Sequence, residues 1–257
     1  MNINLNLSRP EIIKKFLKRF RDHYVSVDLV RIGGEEDGGY LVPDILDSIN
    51  YCFSPGVNNI VDFELQLSNQ YNIKSFMADA SIKSLENKNQ NFNFIPKYIG
   101  SRTYGDFITL SDWISSTKID NKSNLMLQMD IEGGEYDVLT FESSDLLSKF
   151  STMIIEFHFV QNISIINSLI SFSSIFEKIF KYFSICHLHP NNYSKIENYH
   201  GIDIPATLEI SFIRNDKIEK IKNINPITLP NVLDKKNNPE NPDIIMPRIW
   251  WDKNIVT

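Results

Sequence analysis

At 257 residues the chain has room for one large α/β domain, or for one domain with appendages. It is 42% hydrophobic and 23% charged, a balance that supplies a sizeable core. Lys plus Arg number 26 against 32 Asp plus Glu, and the net charge of −6 argues against a non-specific nucleic-acid binder.

Ser8-Arg9-Pro10-Glu11 predicts a helix start, with a capping hydroxyl, an early proline and an acid in the first turn. Ile12, Ile13, Phe16, Leu17 and Phe20 mark one apolar face of a helix ending near Tyr24. The opening MNINLNLSRPEIIKKF has no continuous apolar run of the signal-peptide kind, and no later stretch approaches a membrane span; a cytoplasmic protein is the expectation. Val30 to Val42 holds two Gly-Gly pairs around three acids and reads as a turn into a strand, either a plain hairpin or a ligand-contacting loop. Residues 1–48 are thus a leading helix and a glycine-rich hairpin. A core follows over 49–214.

The core opens with a strand at Tyr51-Cys52-Phe53, a turn at Ser54-Pro55-Gly56-Val57-Asn58, and a helix over Ile60 to Tyr71. In a nucleotide-type fold this is the first unit, whose turn approaches the cofactor. Gly56 stands alone, so the G-x-G-x-x-G of a dinucleotide site is absent. Asn72 to Asp79 reads as a second strand. Its terminal Asp79 is placed either to accept both hydroxyls of a ribose or to cap the next helix. Phe92 to Ile99 is a third strand, followed by Gly100-Ser101-Arg102, a turn that could lie beside an adenine. Thr109 starts a short helix with its hydroxyl as cap.

Leu125 to Met129 is a short apolar run, long enough for one buried strand and too short for a buried helix. Asp130 and Glu132 follow it, then Gly133-Gly134, then helical spacing from Glu135 to Leu139. Open α/β sheets put ligands at the carboxyl ends of such strands, and acids crowded there mark a site more often than a solvated loop. Thr152 to Phe159 is a fifth strand, with Glu156 and His158 on one face. Asn162 to Phe183 holds a long helix, Ile185 to Leu188 a sixth strand ahead of His189, and Ala206 to Ile213 a seventh with Glu209 inside it. This order predicts a doubly wound, mostly parallel seven-stranded sheet with a reversed terminal strand. Cys52 and Cys186 lie in apolar strand-like runs without metal or redox spacing, so buried thiols are expected. From Asn215 the chain is rich in Asn, Lys and Pro and reads as a tail, 215–257, wrapping the surface. Its Trp250-Trp251 pair should dock into this protein, a sister subunit or a flat ligand, and a homodimer is one expectation.

Ile108 to Ile114 (ITLSDWI), Leu125 to Leu139 (LMLQMDIEGGEYDVL) and Met153 to Phe159 (MIIEFHF) resemble the FkbM-type S-adenosylmethionine-dependent O-methyltransferases. That family shows a TLDD-hydrophobic helix start, a strand ending in D-(I/V)-E-G-(A/G)-E, and an I-E-hydrophobic-H strand. The resemblance covers residues 50 to 215, is weaker in the first glycine turn and is absent from both ends. It implies a Rossmann-like methyltransferase fold, S-adenosylmethionine as cofactor, and a sugar or nucleotide-sugar hydroxyl as acceptor in surface glycan biosynthesis. Methyltransferases tolerate a looser first turn followed by an acid, a role open to Asp62 or Glu64. The cofactor residues it points to are Gly56, Glu64, Asp79, Ser101 and Asp130.

Methyl transfer to a hydroxyl requires alignment of donor and acceptor and a more nucleophilic oxygen. A general base does the second, with His158 as the candidate and Asp130 or Glu132 orienting it or the acceptor. A divalent Mg²⁺ or Mn²⁺ on Asp130, Glu156 and His158 would do it by another route. The Asp37-Gly38-Gly39-Tyr40 loop, Asn191-Asn192-Tyr193 and Trp250-Trp251 are the places to look for acceptor contacts. Two rival readings remain. A nucleotide-sugar oxidoreductase is disfavoured by the missing glycine fingerprint and the absence of a Tyr-x-x-x-Lys pair, and a silent methyltransferase-like partner by the intact acids.

Overall fold

In the structure, a computed structural model, residues 6–223 and 226–255 are described; 1–5, 224–225 and 256–257 lie outside them. Helix α1 (Pro10–Asp22) leads into a hairpin of β1 (Leu29–Ile32) and β2 (Tyr40–Pro43). The core then runs β3 (Tyr51–Pro55), α2 (Asp62–Tyr71), β4 (Lys74–Ala78), β5 (Phe92–Ile95), and a small pair, β6 (Tyr98–Ile99) with β7 (Phe107–Ile108). It continues with α3 (Leu110–Ser116), β8 (Leu125–Met129), α4 (Glu135–Phe141), α5 (Ser144–Leu147), β9 (Phe150–Phe157), α6 (Ile166–Phe180) and β10 (Phe183–Pro190). A second hairpin, β11 (Ile196–Tyr199) and β12 (Ile202–Pro205), precedes β13 (Leu208–Arg214).

The seven-stranded sheet has the order β10-β13-β9-β8-β3-β4-β5. β13 runs antiparallel to both its neighbours, while the β9-β8-β3-β4-β5 pairings are parallel. This is the mostly parallel Rossmann-like sheet with a reversed last strand that the sequence predicts. The order turns at β3, with β4 on one side and β8 on the other, and such a switch point opens a crevice beyond the strand ends.

Strand side chains alternate between the two faces. Phe53, Leu127, Met153 and Ile155 pack with Phe20 of α1, Trp113 of α3, Leu139 of α4 and Phe176 of α6. Cys52, Met126, Ile154, Cys186 and Ile213 pack on the other face with Phe63 and Leu67 of α2 and with Ile32 and Val42 of the hairpin. On that second face the hairpin and one helix do the covering.

Several boundaries differ from expectation for local reasons. The third strand stops at Ile95 because Pro96 has no N–H for the ladder, and Tyr98–Ile99 pairs instead with Phe107–Ile108. The long helix starts at Ile166, after a 3₁₀ turn at Val160–Ser164 entered through Phe159 at φ +56°. Ser8 does not cap α1; Arg9 is the N-cap residue and Pro10 fills the first turn. The Thr109 hydroxyl does cap α3, accepting from Asp112 N at 3.1 Å.

The tail returns to the body of the protein. Trp250 is fully buried against Phe20 (5.4 Å, edge to face), and its Nε1 donates to the Asp203 carbonyl at 3.0 Å. Trp250 is therefore taken up within the chain and gives no ground for a dimer. Trp250→Ala is expected to destabilise the fold by about 3–5 kcal/mol, from the lost transfer energy plus the cavity left behind. Urea unfolding measures this; a cost below about 1 kcal/mol would contradict the docking.

Candidate functional site at the carboxyl ends of the central strands

Gly56 directly follows β3 at φ +87°, and a Cβ there would sit 1.5 Å from the Asp130 carbonyl oxygen. The glycine is thus required by backbone-to-backbone approach between the first turn and the end of β8. Gly56 N donates to Ala78 O at 2.9 Å and Asp130 N to Pro55 O at 3.3 Å, so three strand ends are tied together here. They enclose a cavity of about 490 Å³, lined by Gly56, Asn58, Asp79, Tyr98, Phe107 and Asp130 among others. That volume is in the range of small-molecule and cofactor sites.

Asp79 directly follows β4 and lines this cavity. Its Oδ2 accepts from Asn58 N and its Oδ1 from Ser81 N, both at 2.8 Å, so it fastens the first turn to the loop after β4. No helix follows for it to cap, as residues 79–91 are irregular. Each carboxylate oxygen keeps a second lone pair for a ligand hydroxyl.

Two of the predicted cofactor residues lie apart. Ser101 lines an adjoining recess with Gly100, Arg102 and Tyr104, which shares Ile99, Phe107 and Gly134 with the main cavity. Glu64 is buried on α2 and lines a smaller cavity of about 180 Å³ with Asp37, Tyr40 and Asp130. Burial pushes its carboxyl up to about 7, against a hydrogen bond from Ser54 that lowers it. Tyr98 and Phe107, with ring centroids 5.5 Å apart, were not foreseen as wall residues. Their spacing alone carried no signal, because the bend at Pro96 that joins them depends on the tertiary pairing.

His158, just past β9, sits among four carboxylates. Its Nε2 lies 3.4 Å from Glu132, 3.6 Å from Glu156 and 4.0 Å from Asp130, while Nδ1 lies 3.3 Å from Glu135 Oε1. Glu135 is fully buried and also accepts from Ile131 N and Gly133 N, both at 3.1 Å. It holds both the acidic turn and the imidazole, a role hidden in the sequence by its place as first residue of α4. Glu132, at φ +55° with a side chain 86% exposed, also lines the cavity. Burial opposes charge on His158, but the bond to Glu135 and the charges of Glu135, Asp130 and Glu132 raise its pKa above the ordinary value.

Behind His158 runs a row of ionisable side chains across four strands. Asp130 follows Met129, the register partner of Ile155, and so stands beside Glu156; Glu156 pairs with Glu209, and Glu209 with His189. Desolvation pushes Asp130 and Glu209 up to about 7 and raises Glu156 as well, each aggravated by neighbouring acids. Asn191 Nδ2 donates to Glu156 Oε1 at 3.0 Å. His189 does not join His158. It lies two strands away, 3.8 Å from Asp234 of the tail, which also bonds His187 at 2.8 Å. Burial would lower the His189 pKa, but Asp234 and Glu209 carry it up to about 9. Asp130, Glu156 and His158, the predicted metal set, place one ligand atom each within 4.8 Å of one another. The places named for acceptor contacts divide: Asp37 and Tyr40 line the small cavity beside Asp130, whereas Asn192 is bound up with the tail at Asn238 and Asn241.

No family model and no curated protein matches the chain. Among solved structures it is similar to a chain of the fibrillarin/Nop5p complex, with 14% identity, 65% of this chain and 73% of that chain covered, and a TM-score of 0.40. It is also similar to precorrin-6y C5,15-methyltransferase from Geobacter metallireducens GS-15, at 7% identity, 84% and 94% coverage, and a TM-score of 0.30. Both likenesses are weak and decide neither activity nor substrate. Among the described residues no helix is long and apolar enough to cross a membrane.

Proposed function

We propose that the chain is an S-adenosylmethionine-dependent O-methyltransferase of the FkbM type, acting on a hydroxyl of a sugar or nucleotide-sugar in surface glycan biosynthesis. The observation that carries this reading is the cavity at the β3/β4/β8 switch point, with Asp79 at one end and the His158 carboxylate cluster beside the other. The residues fit the cofactor. Asp79 is the ribose acceptor, Tyr98 and Phe107 offer flat apolar walls to an adenine, and Gly56 and Asp130 present backbone and carboxylate to the amino-acid end. When bound, the cofactor supplies a methyl group on a sulfonium whose thioether leaves readily. His158 takes the acceptor proton at Nε2, and Glu135 at Nδ1 fixes the ring and steadies its protonated form. Asp130 and Glu156 hold the acceptor hydroxyl beside that nitrogen. The sugar class follows from the family resemblance, supported by carboxyl and amide groups suited to hydroxyls at Asp37, Glu156 and Asn191.

Methyl-labelled S-adenosylmethionine incubated with a panel of nucleotide-sugars tests this directly. Label recovered as a sugar methyl ether is the expected result; transfer to no sugar in the panel would contradict the acceptor class. Asp79→Asn is expected to weaken S-adenosylhomocysteine binding about tenfold, since one ribose hydrogen bond is lost and a donor faces a donor. Unchanged affinity in calorimetry would remove Asp79 from the cofactor site.

A further inference from the structure

We infer that Asp37, Glu156 and Glu209 form a site for a hard divalent cation, Mg²⁺ or Mn²⁺, which shares Glu156 with the Asp130–Glu156–His158 set but takes neither Asp130 nor His158 as a ligand. One oxygen of each of the three carboxylates lies within 4.8 Å of the others. Three strictly oxygen donors suit a hard cation better than the mixed set containing His158 does.

Acids alone would not make this a site; two further features do. Glu156 has a side chain only 5% exposed; its Oε1 is held by Asn191 and faces His158, and its Oε2 has no hydrogen-bond partner among the described residues. Such an orphaned buried oxygen is costly unless something binds it. Asn237 of the tail, 2% exposed, is the second. Its Nδ2 donates to both Asp37 and Glu209, and its Oδ1 has no partner among the described residues. The amide nitrogen therefore ties Asp37 to Glu209, and beside the cluster the buried amide oxygen is left without a partner. Arg31 of the hairpin lies near Glu209 but donates its N–H groups to the Gly34 and Glu36 carbonyls.

The cation displaces the protons that burial otherwise keeps on Glu156 and Glu209. It also settles three elements at once: the hairpin through Asp37, the sheet through Glu156 and Glu209, and the tail through Asn237. The small cavity lined by Asp37, Gly38, Tyr40 and Asp130 opens beside it, so oxygens of the acceptor complete the coordination there. This last point rests on the methyltransferase reading; the cation site itself does not.

The test is Mn²⁺ titration of the full chain, read from the loss of the free-ion paramagnetic signal. The wild type is expected to bind Mn²⁺ at one site. Glu209→Gln should weaken it by more than about 100-fold, as loss of a ligand exceeds the 10–100-fold typical of outer partners. His158→Gln removes a neighbour of Glu156 and no ligand, so it should weaken binding by no more than about 100-fold. Asp37→Asn, on the hairpin loop, repeats the Glu209 test should Glu209→Gln misfold, as judged by thermal melting. Absence of Mn²⁺ binding overturns the inference. So does a loss in His158→Gln equal to that in Glu209→Gln, which would place the ion on His158. S-adenosylhomocysteine titration in EDTA is run alongside, so that failure of the cation site and failure of the methyltransferase reading give different results.

Discussion

Gly56→Ala is expected to abolish S-adenosylhomocysteine binding and to destabilise the protein by more than about 4 kcal/mol, the range in which a substitution has a specific structural cause. The new Cβ would lie 1.5 Å from the Asp130 carbonyl oxygen and 2.6 Å from its carbon, and both are backbone. No rotamer change relieves that contact, so the first turn and the end of β8 must separate. The φ of +87° adds strain of its own for a residue with a side chain. Separation moves Asp130 and opens the cavity wall that Gly56 and Asp130 share. Gly105→Ala is the control. Its φ is +56° but nothing lies within 4 Å of a built Cβ, so only the conformational strain of about 1–2 kcal/mol remains. Equal effects for the two substitutions would show that the close approach at Gly56 is not what matters.

His158→Gln is expected to lower the methyl-transfer rate by about 10²–10⁴-fold while leaving cofactor affinity almost unchanged, the pattern for loss of a general base. A rise in KM with kcat unchanged would instead make His158 an acceptor-binding group. The ionisation of this histidine can be followed without turnover. Glu135, Asp130 and Glu132 favour the imidazolium, so the ring keeps its proton to a pH above the ordinary 6.5 and its basic form predominates only above that raised value. In the metal-free protein the His158 ring resonances should therefore titrate with a midpoint above 6.5. Glu135→Gln removes the bonded charge and should bring the midpoint down. A midpoint unmoved by that change would dissociate Glu135 from His158.

The sheet was legible because the apolar runs at Tyr51–Phe53, Leu125–Met129 and Thr152–Phe159 are short and separated by turn chemistry, which limits them to buried strands. Asp130, Glu132, Glu156 and His158 were legible as a group for the same reason, since acids at strand ends stand out against an apolar pattern. What escaped was contributed across the fold. Glu135 looks like an ordinary acid in a first helical turn, yet it folds back to accept from Ile131 N and Gly133 N. Asp234 and Asn237 sit in a stretch whose polar, proline-rich composition reads as surface wrapping, while in the structure they reach His187 and Glu209. Gly56 reads as part of a turn approaching the cofactor; it lines the cavity, and its missing side chain also makes room for the Asp130 carbonyl. Contacts between segments far apart in the chain leave no trace in local periodicity.

The measurement closest to the central claim is calorimetric titration of S-adenosylhomocysteine into the full chain in EDTA, with Gly56→Ala titrated in parallel. One site of micromolar affinity, about −8 kcal/mol, in the wild type and none in Gly56→Ala is the predicted result. No heat of binding in a folded wild-type protein would contradict the reading of the switch-point cavity as a methyl-donor site.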